Sequence, residues 1–136
     1  MWLQSMNVLK AIYAIALIGM TICLTGCSQR IDQSEVLGRY TVNRGKGVDE
    51  IELKNDGTYV YTCKLGSSSD FTNMDDWSFR YDNGDARITF DHFQFCADEY
   101  RRKPAYWDVQ AERTWTGTIK LTIDPDVNFW FVKQKL

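Results

Sequence analysis

The sequence predicts an all-β fold, an antiparallel meander of about eight strands that closes as a small barrel or folds over as a sandwich. From Tyr40 onward, apolar side chains recur at every second position in short segments, which is typical of half-buried strands. Asp56-Gly57 and Asn83-Gly84 separate such segments and are typical of two-residue hairpin turns. No segment after residue 27 has a convincing helical period. Because the turns are mostly short, consecutive strands are expected to pair.

Each predicted strand is an alternating run that ends at a polar turn or loop. Residues 66–76 and 97–105 are predicted as long loops, and Asp124-Pro125-Asp126 as a turn. The alternation shifts by one residue near Asp91-His92, which predicts a β-bulge. The runs are Tyr40–Val42, Val48–Leu53, Thr58–Leu65, Trp77–Tyr81, Ile88–Phe95, Trp107–Ala111, Trp115–Ile123 and Phe129–Val132.

The N-terminal segment is typical of a secretory signal. Ala11–Leu24 is almost wholly apolar and follows Lys10, and a helix of that length is shorter than the hydrocarbon core of a bilayer. It ends in Leu24-Thr25-Gly26-Cys27, which resembles the lipobox of bacterial lipoproteins. The resemblance implies a signal helix over residues 1–26, removed by cleavage, a diacylglycerol thioether on Cys27, and a further acyl chain such as palmitate on its freed amine.

That resemblance also implies where the protein resides. Two or three acyl chains anchor a protein stably, so the chain is expected in the bacterial cell envelope. Ser28 is compatible with the periplasmic face of the outer membrane if the source is Gram-negative. Residues 27–34 are predicted as a lipidated tether, and residues 35–136 as a single β domain.

Composition narrows the classes of partner. The chain carries 16 basic and 18 acidic residues, a formal net charge of −2, which argues against nucleic acid. After removal of the signal, Cys63 and Cys96 remain besides Cys27. In an oxidising envelope compartment they are expected to form a disulfide, with two buried free thiols as the alternative.

A short motif at the first strand suggests a family of barrels. Leu37-Gly38-Arg39-Tyr40 is similar to the Gly-x-Trp opening of lipocalin-like barrels, with Tyr40 where Trp is usual. Lys133 stands where that family places a basic residue against the ring. Apart from the resemblance, the aromatic side chains either line a cavity for an apolar ligand or fill the interior, and those considered are Tyr59, Tyr61, Trp77, Phe79, Phe90 and Trp107.

No residue pattern predicts catalysis, a metal site or a cofactor. His92 is the only histidine, and no Gly-x-Ser-x-Gly turn surrounds Ser67–Ser69. The acidic residues between Asp70 and Asp91 lack the spacing of a calcium loop. Cys63, Cys96 and His92 match no familiar set of transition-metal ligands. A hydrolase acting on the envelope is therefore the least favoured hypothesis.

The remaining features favour a binding role. Arg101-Arg102-Lys103 is expected either to contact an acidic partner or lipid headgroups, or to be a solvated loop. The main hypothesis is a non-enzymatic envelope lipoprotein whose β domain binds a protein partner, for envelope maintenance or as an immunity or inhibitor protein. The alternative is a lipocalin-like binder of a small apolar ligand or lipid. Contacts are expected from Tyr59, Tyr61, Trp77, Trp107, Arg101, Arg102 and Lys103.

Overall fold

In the computed structural model, eight strands form a closed antiparallel barrel in which each strand pairs with the next and the last pairs with the first. The structure describes residues 30–45, 47–65, 70–95, 103–124, 126 and 129–135. The all-β prediction and its barrel alternative are confirmed. The strands are β1 (Gly38–Asn43), β2 (Gly47–Leu53), β3 (Thr58–Leu65), β4 (Phe71–Asp82), β5 (Asp85–Phe93), β6 (Ala105–Arg113), β7 (Ile119–Asp124) and β8 (Phe129–Lys133).

A one-turn helix, α1 (Gln33–Val36), precedes the barrel. Among the described residues, no helix has the length and apolar character needed to cross a membrane. The predicted signal peptide of residues 1–26 and the lipidation site Cys27 lie outside the described residues.

The predicted turn and bulge chemistry is confirmed at two places. Asn83 and Gly84 both have positive φ (51° and 93°), and this pair connects β4 to β5 with the twist that a tight hairpin requires. His92 has φ 48°, and the register between β5 and β6 shifts between Phe90 and Phe93. Because of this bulge, Phe93 is buried while His92 is exposed.

The barrel interior between the described strands is packed with aromatic rings. Tyr59 lies 5.1 Å from Phe90 between ring centroids, and Tyr61 lies 4.9 Å from Phe93. These separations are those of favourable ring pairs, which add to the stabilisation from burial. Rings therefore fill much of this interior. The largest fully buried side chains include Tyr40, Tyr59, Tyr61, Phe90, Phe93 and Phe131.

The segment before β1 covers one end of the barrel, which we call the closed end. Val36 and Ile31 are buried there. The Tyr40 hydroxyl donates to the Val36 carbonyl at 2.7 Å, and the Tyr81 hydroxyl donates to the Ile31 carbonyl at 2.7 Å. The connections β2–β3, β4–β5 and β6–β7 lie at the same end. The opposite end, which we call the mouth, carries the other four connections.

This packing corrects the predicted extent of the tether. The polar composition predicts a tether over residues 27–34, whereas Ile31 packs into the core and residues 33 and 34 begin α1. A single apolar residue in a polar segment has no periodicity, so its burial depends on tertiary contacts alone.

Two further assignments are corrected by the structure. Residues 71–76, predicted as part of a loop, form the first half of β4, where the Tyr59 hydroxyl donates to Asn73 Oδ1 at 2.8 Å. The partly buried face of this segment carries polar side chains such as Asn73, so the sequence shows no alternation of apolar and polar residues there. Trp115, predicted to begin a strand, lies instead in the β6–β7 turn and is 98% exposed.

Glu35 ties α1 to the barrel. Its Oε2 accepts a hydrogen bond from the Asp32 backbone N–H at 2.9 Å, and its Oε1 accepts one from Arg113 Nη2 at 2.9 Å. Its backbone carbonyl accepts a hydrogen bond from Lys133 Nζ. The Asp32 backbone N–H, followed by the Arg113 guanidinium, holds the pKa of Glu35 below its usual value of 4.5.

We expect Glu35→Gln to destabilise the fold at neutral pH by about 0.5 kcal/mol, because glutamine can still accept the hydrogen bond from Asp32 but loses the part-exposed ion pair with Arg113. Since folding lowers the pKa of Glu35, its contribution is present above 4.5 and is lost as the pH falls through the folded-state value. Urea denaturation at neutral and acidic pH measures the difference.

The matched control is Glu50→Gln, since Glu50 makes only a long pair with Arg39 (3.8 Å) on the outer surface. This control should change stability little at any pH. A Glu35→Gln effect that persists unchanged in acid would contradict the assignment.

Candidate functional site

Three large side chains are exposed on neighbouring strands towards the mouth. Met74 on β4 is 65% exposed, Tyr106 on β6 is 71% exposed, and His92 on β5 is exposed between those strands. The His92 and Tyr106 ring centroids are 5.7 Å apart. His92 Nδ1 lies 3.1 Å from Asp75 Oδ2. We call Met74, His92 and Tyr106 the wall patch.

Local backbone geometry produces this patch. The bulge on β5 directs His92 outward next to the buried Phe93. On β6, strand alternation leaves Tyr106 exposed beside the partly buried Trp107. β4, β5 and β6 are neighbours in the barrel, so the three side chains are exposed on adjacent strands, and the ring contact joins His92 to Tyr106. Scattered single apolar residues are normal on surfaces, but a cluster is typical of an interface.

A second group lies near the mouth and centres on a buried acid. Asp49 is fully buried on β2, where its Oδ2 accepts a hydrogen bond from the Tyr61 hydroxyl at 3.0 Å and lies 3.2 Å from Arg44 Nε. Its Oδ1 is buried and has no hydrogen-bond partner within the described part of the chain. The Arg44 guanidinium stacks 4.6 Å from the centroid of the Phe129 ring.

Burial dominates the electrostatics of Asp49. Desolvation raises the pKa of this carboxyl above 3.8, and the Arg44 charge and the Tyr61 hydroxyl oppose that rise. A buried acid with one oxygen unpartnered carries an uncompensated desolvation cost, which a water molecule or a ligand that donates a hydrogen bond would relieve. This acid was not identified from the sequence, because its partners come from the β1–β2 connection and from the neighbouring strand.

The residues predicted to contact a ligand or partner are dispersed. Tyr59, Tyr61 and Trp77 are buried and Trp107 is half-buried, so these four belong to the barrel interior rather than to a protein-binding surface. Lys103 is exposed. Arg101 and Arg102 lie outside the described residues.

The two cysteines can be compared only in part. Cys63 is buried on β3 and pairs in register with Asp49, whereas Cys96 lies outside the described residues. The ring of Phe95, the residue before Cys96, lies 6.1 Å from the Tyr61 ring, which is two residues from Cys63. The chain therefore approaches β3 just before Cys96, and the Cys63–Cys96 disulfide stays a prediction.

Two open grooves lie at the closed end. One, of about 750 Å³, is lined by Arg30, Tyr81 and Thr114 among others, and Arg30 Cζ lies 3.7 Å from the centroid of the Tyr81 ring. The other, of about 400 Å³, includes Thr116 and Lys135.

No family model matches this chain. Comparison with curated proteins and with solved structures gives no significant match either. The candidate site is therefore argued from geometry alone. Within the described ranges, no three His, Cys, Asp or Glu side chains cluster closely enough to hold a metal ion.

We expect Arg44→Gln to destabilise the barrel by about 2 kcal/mol, because it leaves the buried Asp49 carboxylate without its cation. Adding Asp49→Asn should recover most of that loss. Burial raises the folded-state pKa of Asp49, so stability is lost as the pH rises through that value and regained on acidification. The Arg44→Gln defect should therefore shrink as the pH falls.

Urea denaturation of the wild type, both single variants and the double variant at several pH values measures this coupling. Additive effects in the double variant would contradict the pairing of Arg44 with Asp49.

Proposed function

We propose that this chain is a non-enzymatic, lipid-anchored protein of the bacterial cell envelope whose barrel binds a protein partner through the wall patch. The observation that carries the proposal is the exposure of Met74, His92 and Tyr106 on three adjacent strands. The anchor rests on the lipobox-like Leu24-Thr25-Gly26-Cys27 sequence. The partner is either a protein that takes part in envelope maintenance, or a target that this chain binds as an immunity or inhibitor protein.

The chemistry of the patch supports a protein partner. Tyr and Met are enriched at the centres of protein interfaces, and Tyr contributes contact area there at low cost in side-chain entropy. Asp75 beside His92 adds a polar group that is suited to an interface rim. The rings that fill the interior leave the outer wall as the favoured binding surface.

The placement of the patch also supports this role. Arg30, three residues after Cys27, lies at the closed end, whereas Met74, His92 and Tyr106 lie towards the mouth. An anchor at Cys27 would hold the closed end near the bilayer. The wall patch would then face away from the lipid surface, where a partner can approach it.

A second candidate function is the binding of a small ligand at the mouth. The unpartnered Oδ1 of buried Asp49, close to the Arg44–Phe129 stack, favours a small apolar molecule or lipid that brings one hydrogen-bond donor. Native mass spectrometry of the purified protein distinguishes the candidates, because a retained small molecule would add its mass to the intact protein.

We expect the mature protein to begin at Cys27 and to carry a diacylglycerol thioether. Intact-mass spectrometry of the membrane fraction measures this, and Cys27→Ser should abolish the modification and the stable anchoring that the acyl chains provide. The same spectrum, before and after reduction, tests the Cys63–Cys96 disulfide through a gain of two hydrogens. An unmodified Cys27 on an intact N-terminus would overturn the anchor.

We expect a photo-crosslinking residue at position 106 or 74 to trap one defined protein in intact envelopes. The matched control places it at Val48, which is exposed on β2 on another part of the wall, and should trap little. Tyr106→Asp should lower the affinity for the isolated partner by about tenfold or more, as expected for loss of an interface anchor. Equal trapping at positions 106 and 48 would contradict the proposal.

A further inference from the structure

The β6–β7 turn presents a tryptophan to solvent. Trp115 is 98% exposed, although large apolar side chains are usually covered. The turn is held by hydrogen bonds from Thr114 N to Thr118 O (2.8 Å) and from Gly117 N to Thr114 O (2.9 Å). Gly117 has φ 83°, which a residue with a Cβ rarely adopts. The indole is therefore displayed by a hydrogen-bonded turn rather than by a loose end.

The turn lies at the same end of the barrel as the proposed lipid anchor. Thr114, next to Trp115, lines the same groove as Arg30. Cys27 precedes Arg30 by three residues, a span of at most about 11 Å of extended chain. A thioether chain inserted at Cys27 would therefore hold the β6–β7 turn within reach of the headgroup layer.

The charges around this turn fit an anionic surface. Arg30 and Lys135 are exposed at the closed end, and Lys135 lines the second groove together with Thr116. The β2–β3 connection at this end carries one base and one acid, Lys54 and Asp56, whereas the β4–β5 hairpin carries Asp82 and Asp85 at its two strand ends. Anionic lipids would attract Arg30 and Lys135 and repel the β4–β5 hairpin, which favours a tilt of the barrel towards the β6–β7 turn.

We propose that Trp115, together with Arg30 and Lys135, forms a membrane-docking face whose occupant is an anionic phospholipid bilayer. An indole is favoured at the headgroup level, where its ring is partly buried and its N–H remains hydrated. This inference rests on the proposed anchor at Cys27. It adds an orientation, because the docked barrel directs the wall patch away from the lipid.

Hydroxyl-radical footprinting of the full mature protein tests this face. The protein is compared in vesicles of phosphatidylethanolamine and phosphatidylglycerol, in vesicles of phosphatidylcholine alone, and in detergent. Oxidation at Trp115 should fall severalfold in the anionic vesicles relative to detergent, whereas oxidation at Tyr106 and Met74 should remain unchanged. These two side chains serve as internal controls, because both are exposed towards the mouth.

The Lys135→Gln variant gives an independent measurement. Binding of the Cys27→Ser protein to anionic vesicles isolates docking from the acyl chains. Removing one basic charge near the surface should weaken that binding about fivefold. The matched control is Lys54→Gln, in the β2–β3 connection outside the proposed face, which should have little effect.

The outcomes separate docking from anchoring. Unchanged oxidation at Trp115 in anionic vesicles overturns the docking face, while the mass of Cys27 in the same sample reports on the anchor independently. If Cys27 is unmodified, protection of Trp115 on adding anionic vesicles still supports docking. If Trp115 is not protected in that sample, the docking face is overturned. If Trp115 becomes protected in detergent as the protein concentration rises, it contacts a second copy of this protein. That result would overturn the proposal.

Discussion

The pairing of β1 with β8 is the constraint on which the rest of the structure depends. It joins Tyr40 to Lys133 and Thr41 to Val132 in register, and it converts an eight-strand meander into a closed barrel. Closure gives the rings on the inner faces a common interior. It also fixes the closed end, because Lys133 reaches from β8 to the carbonyl of Glu35 in α1. A sandwich of the same strands would leave two edges open.

Because aromatic rings fill much of the barrel interior, each polar group buried there needs a hydrogen-bond partner in place of water. The hydroxyls of Tyr40, Tyr59 and Tyr61 all find acceptors: a helix carbonyl, the Asn73 amide and the Asp49 carboxylate. Burial raises the pKa of Tyr40 and of Tyr59 well above the usual value, so both remain neutral donors. Asp49 is different, because one of its oxygens lacks a partner among the described residues. The mouth therefore holds a buried acid whose loss of hydration is only partly offset by its partners.

The sequence was most informative where structure is local. Alternation predicted strands in the correct order, Asn83-Gly84 predicted a hairpin, and the shift at His92 predicted the bulge. It was least informative where a position depends on a neighbouring strand. The first half of β4 was missed because Asn73 is polar on the partly buried side and is satisfied by Tyr59. The wall patch requires the lateral register of three strands, which no single stretch of sequence contains.

Closure of the barrel has a consequence for behaviour on a membrane. Proteins tethered in a bilayer share a thin layer, so their local concentration far exceeds that in the surrounding fluid. Unpaired strand edges would then meet often and could grow into sheets shared between molecules. Because β1 and β8 pair with each other, a population of this protein held by the proposed anchor would present few unpaired strand groups for such growth in the described barrel.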